Sequence, residues 1–113
     1  MKPADDALPL AGRQCRHLPA GTPAPDAAQV AAWLAALPGW SVRGTALVKQ
    51  FGFPDYGRTM GFVNAVAWIA QQQDHHPDMV VGYDRCEVAF STHSTGGLSV
   101  NDFICAARVE ALL

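Results

Sequence analysis

The chain has 113 residues, half of them apolar, and a formal net charge of −2. This length predicts one domain with a single modest core. Because it has only two lysines, Lys2 and Lys49, and no basic stripe, a groove for nucleic-acid phosphates is not expected.

The cysteines and the N-terminus bear on the cellular compartment. Cys15, Cys86 and Cys105 are widely spaced without a CxxC pair, so neither a zinc knuckle nor a disulfide framework is predicted. Free thiols are typical of a reducing cytosol, and we expect a cytoplasmic protein. The first ten residues, MKPADDALPL, lack the apolar run of a secretory signal, and no segment has the length of about 18 apolar residues that a membrane span needs.

An N-terminal arm, residues 1–24, is rich in Ala, Pro and Gly. We expect it to be irregular and to pack on the domain formed by residues 25–113. That domain opens with a helix, which Asp26 and Gln29 begin in the manner of a capping box and Pro38-Gly39 ends. One apolar stripe runs along the predicted helix and consists of Val30, Trp33, Leu34 and Leu37.

Two strands around a turn at Arg43-Gly44 are predicted next, in WSVRGTALVKQFGF. A second helix follows in DYGRTMGFVNAVAWIAQQQ. Its predicted apolar stripe consists of Tyr56, Met60, Val63, Ala67 and Ala70, widened by Phe62, Val66 and Ile69. A stripe this wide predicts burial in the core or against a partner chain.

The last third of the chain predicts two more strands, MVVGY and CEVAFST, joined at Asp84-Arg85, and a final helix in LSVNDFICAARVEALL. In the second strand Cys86, Val88, Phe90 and Thr92 share one face, and Glu87, Ala89, Ser91 and His93 share the other. Gly96-Gly97 breaks this strand, and Val100, Ile104, Ala107 and Ala111 lie on one side of the final helix. The order αββαββα predicts an α+β fold, a four-stranded antiparallel sheet with three helices packed on one face.

Two adjacent histidines, His75 and His76, stand in the segment QQQDHHPDMV. Pro77 disfavours helical backbone before it, so the helix should end near Gln73 or Asp74 and leave both imidazoles on a constrained loop. The helix dipole and the Asp74 carboxylate favour the imidazolium there, which suits proton transfer near neutral pH. The plainer interpretation of an isolated His-His pair is a solvated polar loop.

Two further polar residues qualify as site candidates. His93 shares its strand face with the small residues Ala89 and Ser91, which leaves room for a ligand, although an exposed strand-end histidine fits equally well. Asp102 falls three residues after Ser99, the capping-box position of the last helix, and from there it can also orient a neighbour.

Metal binding and nucleophilic catalysis are both disfavoured by the spacing. Three histidines and an aspartate could form a ligand set, but adjacent histidines rarely direct both rings at one ion, and neither HxH nor HExxH occurs. Cys86 and Cys105 fall in apolar patterns and are predicted to lie in the core. No serine stands in a GxSxG setting.

Taken together, these motifs resemble the pterin-4a-carbinolamine dehydratase family. The segments DHHPDMVVGY, STH and GGLSVNDF carry His75-His76-Pro77, Tyr83, His93 and Asp102 at that family's spacing. The segments LPGWSV, FGFPDY and FVNAVAWIA match its N-terminal half, so the resemblance covers about residues 30–112.

The resemblance implies a cofactor-free dehydration of 4a-hydroxytetrahydropterin to quinonoid dihydropterin and water, as in tetrahydrobiopterin recycling. It implies a catalytic set of His75, His76 and His93, in which His75 and His93 are the acid/base groups and His76 mainly binds the pterin. Substrate-binding positions would be Gln71, Asp74, Pro77, Thr92, Ser94 and Thr95, with Asp102 supporting the histidines. Members of the family form dimers or tetramers, so a homodimer is expected, with no nucleic-acid or membrane partner.

Two positions depart from the family pattern. Gln71 stands where a charged residue is usual, one helical turn before His75, and it should still face the pocket. Met79 stands where many members have Trp. Gln71 is the feature that favours the alternative function, a non-catalytic pterin-binding or molybdopterin-related helper on the same fold. Some animal relatives also serve as dimerisation cofactors for a transcription factor, a role that no feature of this sequence specifically supports.

Overall fold

The computed structural model describes residues 8–113. The helices and strands are α1 (Ala27–Ala35), β1 (Ser41–Arg43), β2 (Ala46–Gly52), α2 (Tyr56–Gln73), β3 (Asp78–Val81), β4 (Arg85–Phe90) and α3 (Val100–Glu110). This order confirms the predicted αββαββα arrangement. None of the helices in this part of the chain is long and apolar enough to cross a membrane.

The four strands form one antiparallel sheet in the order β1-β2-β4-β3. On the side that faces the helices, Leu47 lies opposite Phe90 and Phe51 lies opposite Cys86, and all four are buried. Gly44, with φ at 61°, makes the tight turn between β1 and β2 at the predicted place. Helices α2 and α3 contact this face, and Trp33 of α1 packs on Phe103 of α3, with ring centroids 5.0 Å apart. Three helices and an antiparallel sheet confirm the α+β fold.

The first two helices begin at aspartates whose side chains cap free backbone N–H groups. Asp26 accepts from the Gln29 N–H at 2.8 Å, and Asp55 accepts from the Arg58 N–H at 2.8 Å. The predicted stripe of α1 is confirmed, because its members pack against the core: Val30, Trp33, Leu34 and Leu37.

The buried face of α2 differs from the predicted stripe. The predicted members Tyr56 and Ala67 are exposed, and the buried residues are Thr59, Phe62, Val66, Ile69 and Ala70. Thr59 can be buried because its hydroxyl donates to the Asp55 carbonyl or to the Tyr83 carbonyl, each at 2.9 Å. A polar residue therefore belongs to the buried face, and apolar periodicity alone placed the centre of the stripe wrongly.

The predicted one-sided stripe of α3 is also wrong. All six residues from Asn101 to Ala106 are buried, whereas Ala111 is exposed beyond the end of the helix. The reason is that α3 is covered on more than one side, by the sheet, by α2 and by the arm, whose short turn at Leu10–Gly12 packs on it. From residue 8, where the described residues begin, the arm is irregular apart from this turn and contacts α3.

The strand that carries His93 ends earlier than predicted. β4 stops at Phe90, and Thr92 and Gly97 exchange two backbone hydrogen bonds of 2.7 and 3.2 Å. These bonds close a small loop in which His93–Thr95 forms a 3₁₀ turn. His93 therefore lies on a turn and not on the outer face of the sheet. The buried face of Cys86, Val88, Phe90 and Thr92 is confirmed.

Candidate active site

A polar cavity of about 410 Å³ opens where four segments of the chain meet. Its lining comes from the arm, the end of α2 with the loop after it, the 3₁₀ turn after β4 and the start of α3. The lining residues are Cys15, Arg16, His17, Leu18, Gln73, Asp74, His75, His76, Ser91, Thr92, His93, Ser94 and Asn101. A concave site of this size suits a small organic ligand.

The end of α2 positions the two adjacent histidines. The helix stops at Gln73 as predicted, and Asp74 adopts left-handed backbone with φ at 50°. Aspartate tolerates this conformation better than most residues. The His75 N–H then donates back to the Ala70 carbonyl at 3.1 Å, which fixes the direction in which the loop leaves the helix.

A hydrogen bond to a buried carboxylate holds the imidazole of His75. Its Nε2 lies 2.6 Å from Asp102 Oδ1, and Asp102 is fully buried. The other carboxylate oxygen, Oδ2, accepts from the Thr92 hydroxyl at 2.8 Å and from the Ser99 N–H at 2.9 Å. Asp102 therefore completes the capping box of α3 and orients His75 at the same time, as the sequence indicated was possible.

The surroundings of His75 raise its pKa. Burial would by itself lower the pKa, but the hydrogen bond and the negative charge of Asp102 outweigh it. The charges of Cys15 and Asp74 act in the same direction. The imidazolium form of His75 therefore persists to higher pH than in an ordinary histidine. The Nδ1 atom has no protein hydrogen-bond partner among residues 8–113, and His75 contributes to the lining of the cavity.

Most of the predicted site residues reach the cavity. His76 and His93 are exposed and line it together with Asp74, Thr92 and Ser94. With His17 of the arm, all four histidines of the chain thus line one cavity, which the sequence spacing alone could not establish.

Three predicted binding residues lie elsewhere: Gln71, Pro77 and Thr95. Gln71 is exposed on α2, and the expectation that it faces the pocket is not met, because the left-handed residue Asp74 breaks the helical spacing between Gln71 and His75. Gln73 lines the cavity instead. The Thr95 hydroxyl is directed at the carbonyls of its own loop, Thr92 at 3.2 Å and Leu98 at 2.8 Å.

The arm supplies a wall of the cavity that sequence reasoning missed. Asn101 binds the backbone of Arg16 on both sides: its Oδ1 accepts from the Arg16 N–H at 3.1 Å, and its Nδ2 donates to the Arg16 carbonyl at 2.7 Å. The Gln73 side chain accepts from the Cys15 N–H at 2.8 Å. An irregular arm has no periodicity to reveal such contacts. The one available signal was the polar run Gln14–His17 within an otherwise apolar stretch.

Two other motif positions lie away from the cavity. Tyr83 is exposed and stacks on Tyr56, with ring centroids 6.0 Å apart, whereas Met79 packs partly buried against the core. Within residues 8–113 no group of three His, Cys, Asp or Glu side chains is arranged to hold a metal ion.

Comparison with known proteins identifies the family. A family model described as pterin 4 alpha carbinolamine dehydratase matches residues 23–112. The chain belongs to this family. The pterin carbinolamine dehydratase domain thus includes every lining residue of the cavity except those of the arm, which precede the matched range.

Bacterial relatives extend the match through the arm. A relative from Nitrosospira multiformis is 46% identical over 103 residues, covering 91% of each chain. One from Stenotrophomonas maltophilia is 50% identical over 109 residues, covering 95% of this chain and 94% of its own. Both are named as candidate pterin-4-alpha-carbinolamine dehydratases.

Two solved structures are similar as well. A transcriptional coactivator/pterin dehydratase from Brucella melitensis is 32% identical with a TM-score of 0.75, over 79% of this chain and 97% of its own. A pterin dehydratase-like protein that is a RuBisCO assembly factor of the alpha-carboxysome is 26% identical with a TM-score of 0.54, over 65% of this chain and 84% of its own.

Proposed function

We propose that this protein is a hydro-lyase that dehydrates 4a-hydroxytetrahydropterin, such as 4a-hydroxytetrahydrobiopterin, to quinonoid dihydropterin and water. The reaction would need no cofactor and would serve tetrahydrobiopterin recycling in the cytoplasm. The observation that carries the proposal is the His75–Asp102 pair, 2.6 Å from Nε2 to Oδ1, at the wall of a cavity that His76 and His93 also line.

The reaction needs one proton donor and one proton acceptor. The bond between C4a and its hydroxyl oxygen breaks, and a proton delivered to that oxygen lets it leave as water. The proton on N5 departs at the same time, and the electron pair of the N–H bond forms the double bond between C4a and N5. Imidazoles can perform both transfers near neutral pH.

The environments of the histidines suggest different roles. The raised pKa of His75 favours its protonated form, so we assign it to donate a proton from Nδ1 to the leaving hydroxyl. The exposed His93, on the opposite segment of the lining, would accept the N5 proton. His76 is adjacent to His75 and would bind the pterin, with Asp74 and Ser94 offering polar groups to its edge.

A second candidate function is a non-catalytic helper on the same fold. The observation that favours it is the similarity to the RuBisCO assembly factor described above, since that protein is pterin dehydratase-like in structure. Gln71, which stands where the family usually has a charged residue, also favours a non-catalytic helper. A helper would retain the fold without accelerating the dehydration.

A stopped-flow assay of carbinolamine breakdown tests the proposal. We expect wild type to accelerate the spontaneous reaction, and His75→Ala and His93→Ala each to lose about 10²- to 10⁴-fold in kcat, the range for a positioned acid or base. His76→Ala should mainly raise KM. Gln72→Ala, an exposed change on α2 outside the cavity, is the matched control. Pterin binding without acceleration by the wild type would favour the helper, and wild-type turnover in both His75→Ala and His93→Ala would overturn the role assignment.

A further inference from the structure

Two cysteines from distant parts of the chain meet beside the cavity. Cys15 Sγ and Cys105 Sγ lie 3.5 Å apart, although 90 positions separate them in the sequence. Cys15 is partly exposed and lines the cavity, whereas Cys105 is fully buried in α3. The Cys15 thiol also lies 3.6 Å from the Asn101 carbonyl. The proposed dehydration uses neither thiol, so their proximity calls for another explanation.

The electrostatic surroundings shift the pKa values of the two thiols in opposite directions. A hydrogen bond from Cys105 lowers the pKa of Cys15; burial opposes this effect, and the positive charges of His75 and Arg108 add to it. The same hydrogen bond and burial raise the pKa of Cys105, which stays protonated. Cys15 is therefore the nucleophilic member, placed at an open cavity where a small oxidant can reach it.

We propose that Cys15 and Cys105 form a reversible dithiol–disulfide site that hydrogen peroxide oxidises. The Cys15 thiolate attacks one oxygen of the peroxide, the O–O bond breaks, and the displaced hydroxide takes up a proton and leaves as water. Cys15 then carries a sulfenic acid. The Cys105 sulfur attacks the Cys15 sulfur, the S–O bond breaks, and the second water leaves with the Cys105 proton. The two thiols are oxidised to one disulfide and the peroxide is reduced to two waters.

Bond formation would move the arm rather than α3. The sulfur atoms must close from 3.5 Å to about 2.0 Å. α3 is packed on several sides, whereas Cys15 belongs to an irregular segment held by individual hydrogen bonds, including that of Gln73. Arg16 and His17 follow Cys15 directly and form part of the cavity lining. Oxidation would therefore pull the part of the lining formed by Arg16 and His17 toward α3 and hold it there. The shape of the cavity would then depend on whether the two cysteines are reduced or oxidised.

Peptide mapping after peroxide treatment of the full-length protein tests the site. We expect hydrogen peroxide to remove two of the three free thiols, to lower the intact mass by two hydrogens and to link the Cys15 and Cys105 peptides; dithiothreitol should reverse all three changes. Cys86→Ala, which removes the other buried thiol, should still form the link. Cys15→Ser should lose no thiol under the same conditions, and it changes only a partly exposed side chain. A link through Cys86, or stable sulfinic acid at Cys15 with Cys105 still reduced, would overturn the proposal.

A second experiment connects the thiol pair to the cavity and rests on the proposed function. A reduced pterin bound in the cavity should shield Cys15 from peroxide. At a saturating concentration of 7,8-dihydrobiopterin, a tenth or less of the protein is free. Disulfide formation should therefore slow by about tenfold or more. Disulfide formation at an unchanged rate would count against pterin binding at this cavity and would leave the dithiol site in place. The two proposals can therefore fail separately.

Discussion

His75 and Asp102 are 27 positions apart in the chain, yet their side chains meet at 2.6 Å between Nε2 and Oδ1. The carboxylate is fully buried, and its second oxygen is occupied by the Thr92 hydroxyl and the Ser99 N–H. A carboxylate held in this way fixes the orientation of the His75 ring, because it engages the Nε2 atom. The end of α2 and the beginning of α3 are thereby joined at the candidate site.

Asp102→Asn should lower both the pKa of His75 and the rate. The amide keeps the size of the side chain but removes the charge that outweighs burial at His75, so the pKa of His75 should fall. We expect a loss of about 10²-fold in kcat and an alkaline limb of the rate profile that moves to lower pH. The profile of kcat/KM against pH and an NMR titration of the His75 ring measure both effects. Asp84→Asn, an exposed change, is the control, and an unchanged His75 titration in Asp102→Asn would contradict the positioning role.

The stability of the fold should depend on pH through His75. Its pKa is raised above the ordinary value of 6.5, so the stability that it contributes is fully present below about pH 6.5 and is lost as pH rises through the raised value. Urea unfolding of wild type and His75→Gln, both in a Cys15→Ser background, should show a free-energy difference that shrinks as pH rises above about 6.5. The Cys15→Ser background removes a second group whose lowered pKa would act in the opposite direction. A free-energy difference that grows with pH would refute the assignment.

Thr92→Val should destabilise the protein by about 1–3 kcal/mol, because it removes a hydroxyl that is hydrogen-bonded to a buried carboxylate and to a second buried hydroxyl. The Thr92 hydroxyl lies 2.8 Å from Asp102 Oδ2 and 2.7 Å from Ser99 Oγ, and both partners are buried. Thr92→Ser keeps this hydroxyl and serves as the matched control. Chemical denaturation of the three proteins measures the effect. Equal stability of the valine and serine variants would mean that this network contributes little.

The protein should self-associate as a homodimer at least. β3 is an edge strand, and its Val80 and Val81 are 66% and 42% exposed. On α2, Trp68 is 63% exposed as well. Light scattering at micromolar concentration should give a mass of two chains or more. Val80→Lys should weaken the association if the sheet edges pair, and Trp68→Glu should do so if α2 forms the contact. A monomeric wild type at that concentration would refute the prediction.

The sequence by itself determined the order of the elements and the position of several boundaries. Alternating apolar residues predicted β4, and the restriction before Pro77 predicted the end of α2, because both signals depend on neighbours in the chain. The capping box at Ser99 and Asp102 was likewise a local signal. The family resemblance added the grouping of His75, His76 and His93, which local patterns had left open.

Only the tertiary structure decided which faces are buried and which residues complete the cavity. Thr59 lies on the buried side of α2 within hydrogen-bond distance of the distant Tyr83 carbonyl, a contact that helical periodicity could not predict. Gln73 replaces Gln71 at the cavity because one left-handed residue, Asp74, changes the course of the chain. Cys15 contacts Cys105 because the irregular arm packs against α3. Contacts between segments so far apart in the chain leave no pattern in the local sequence, so only the tertiary structure identifies them.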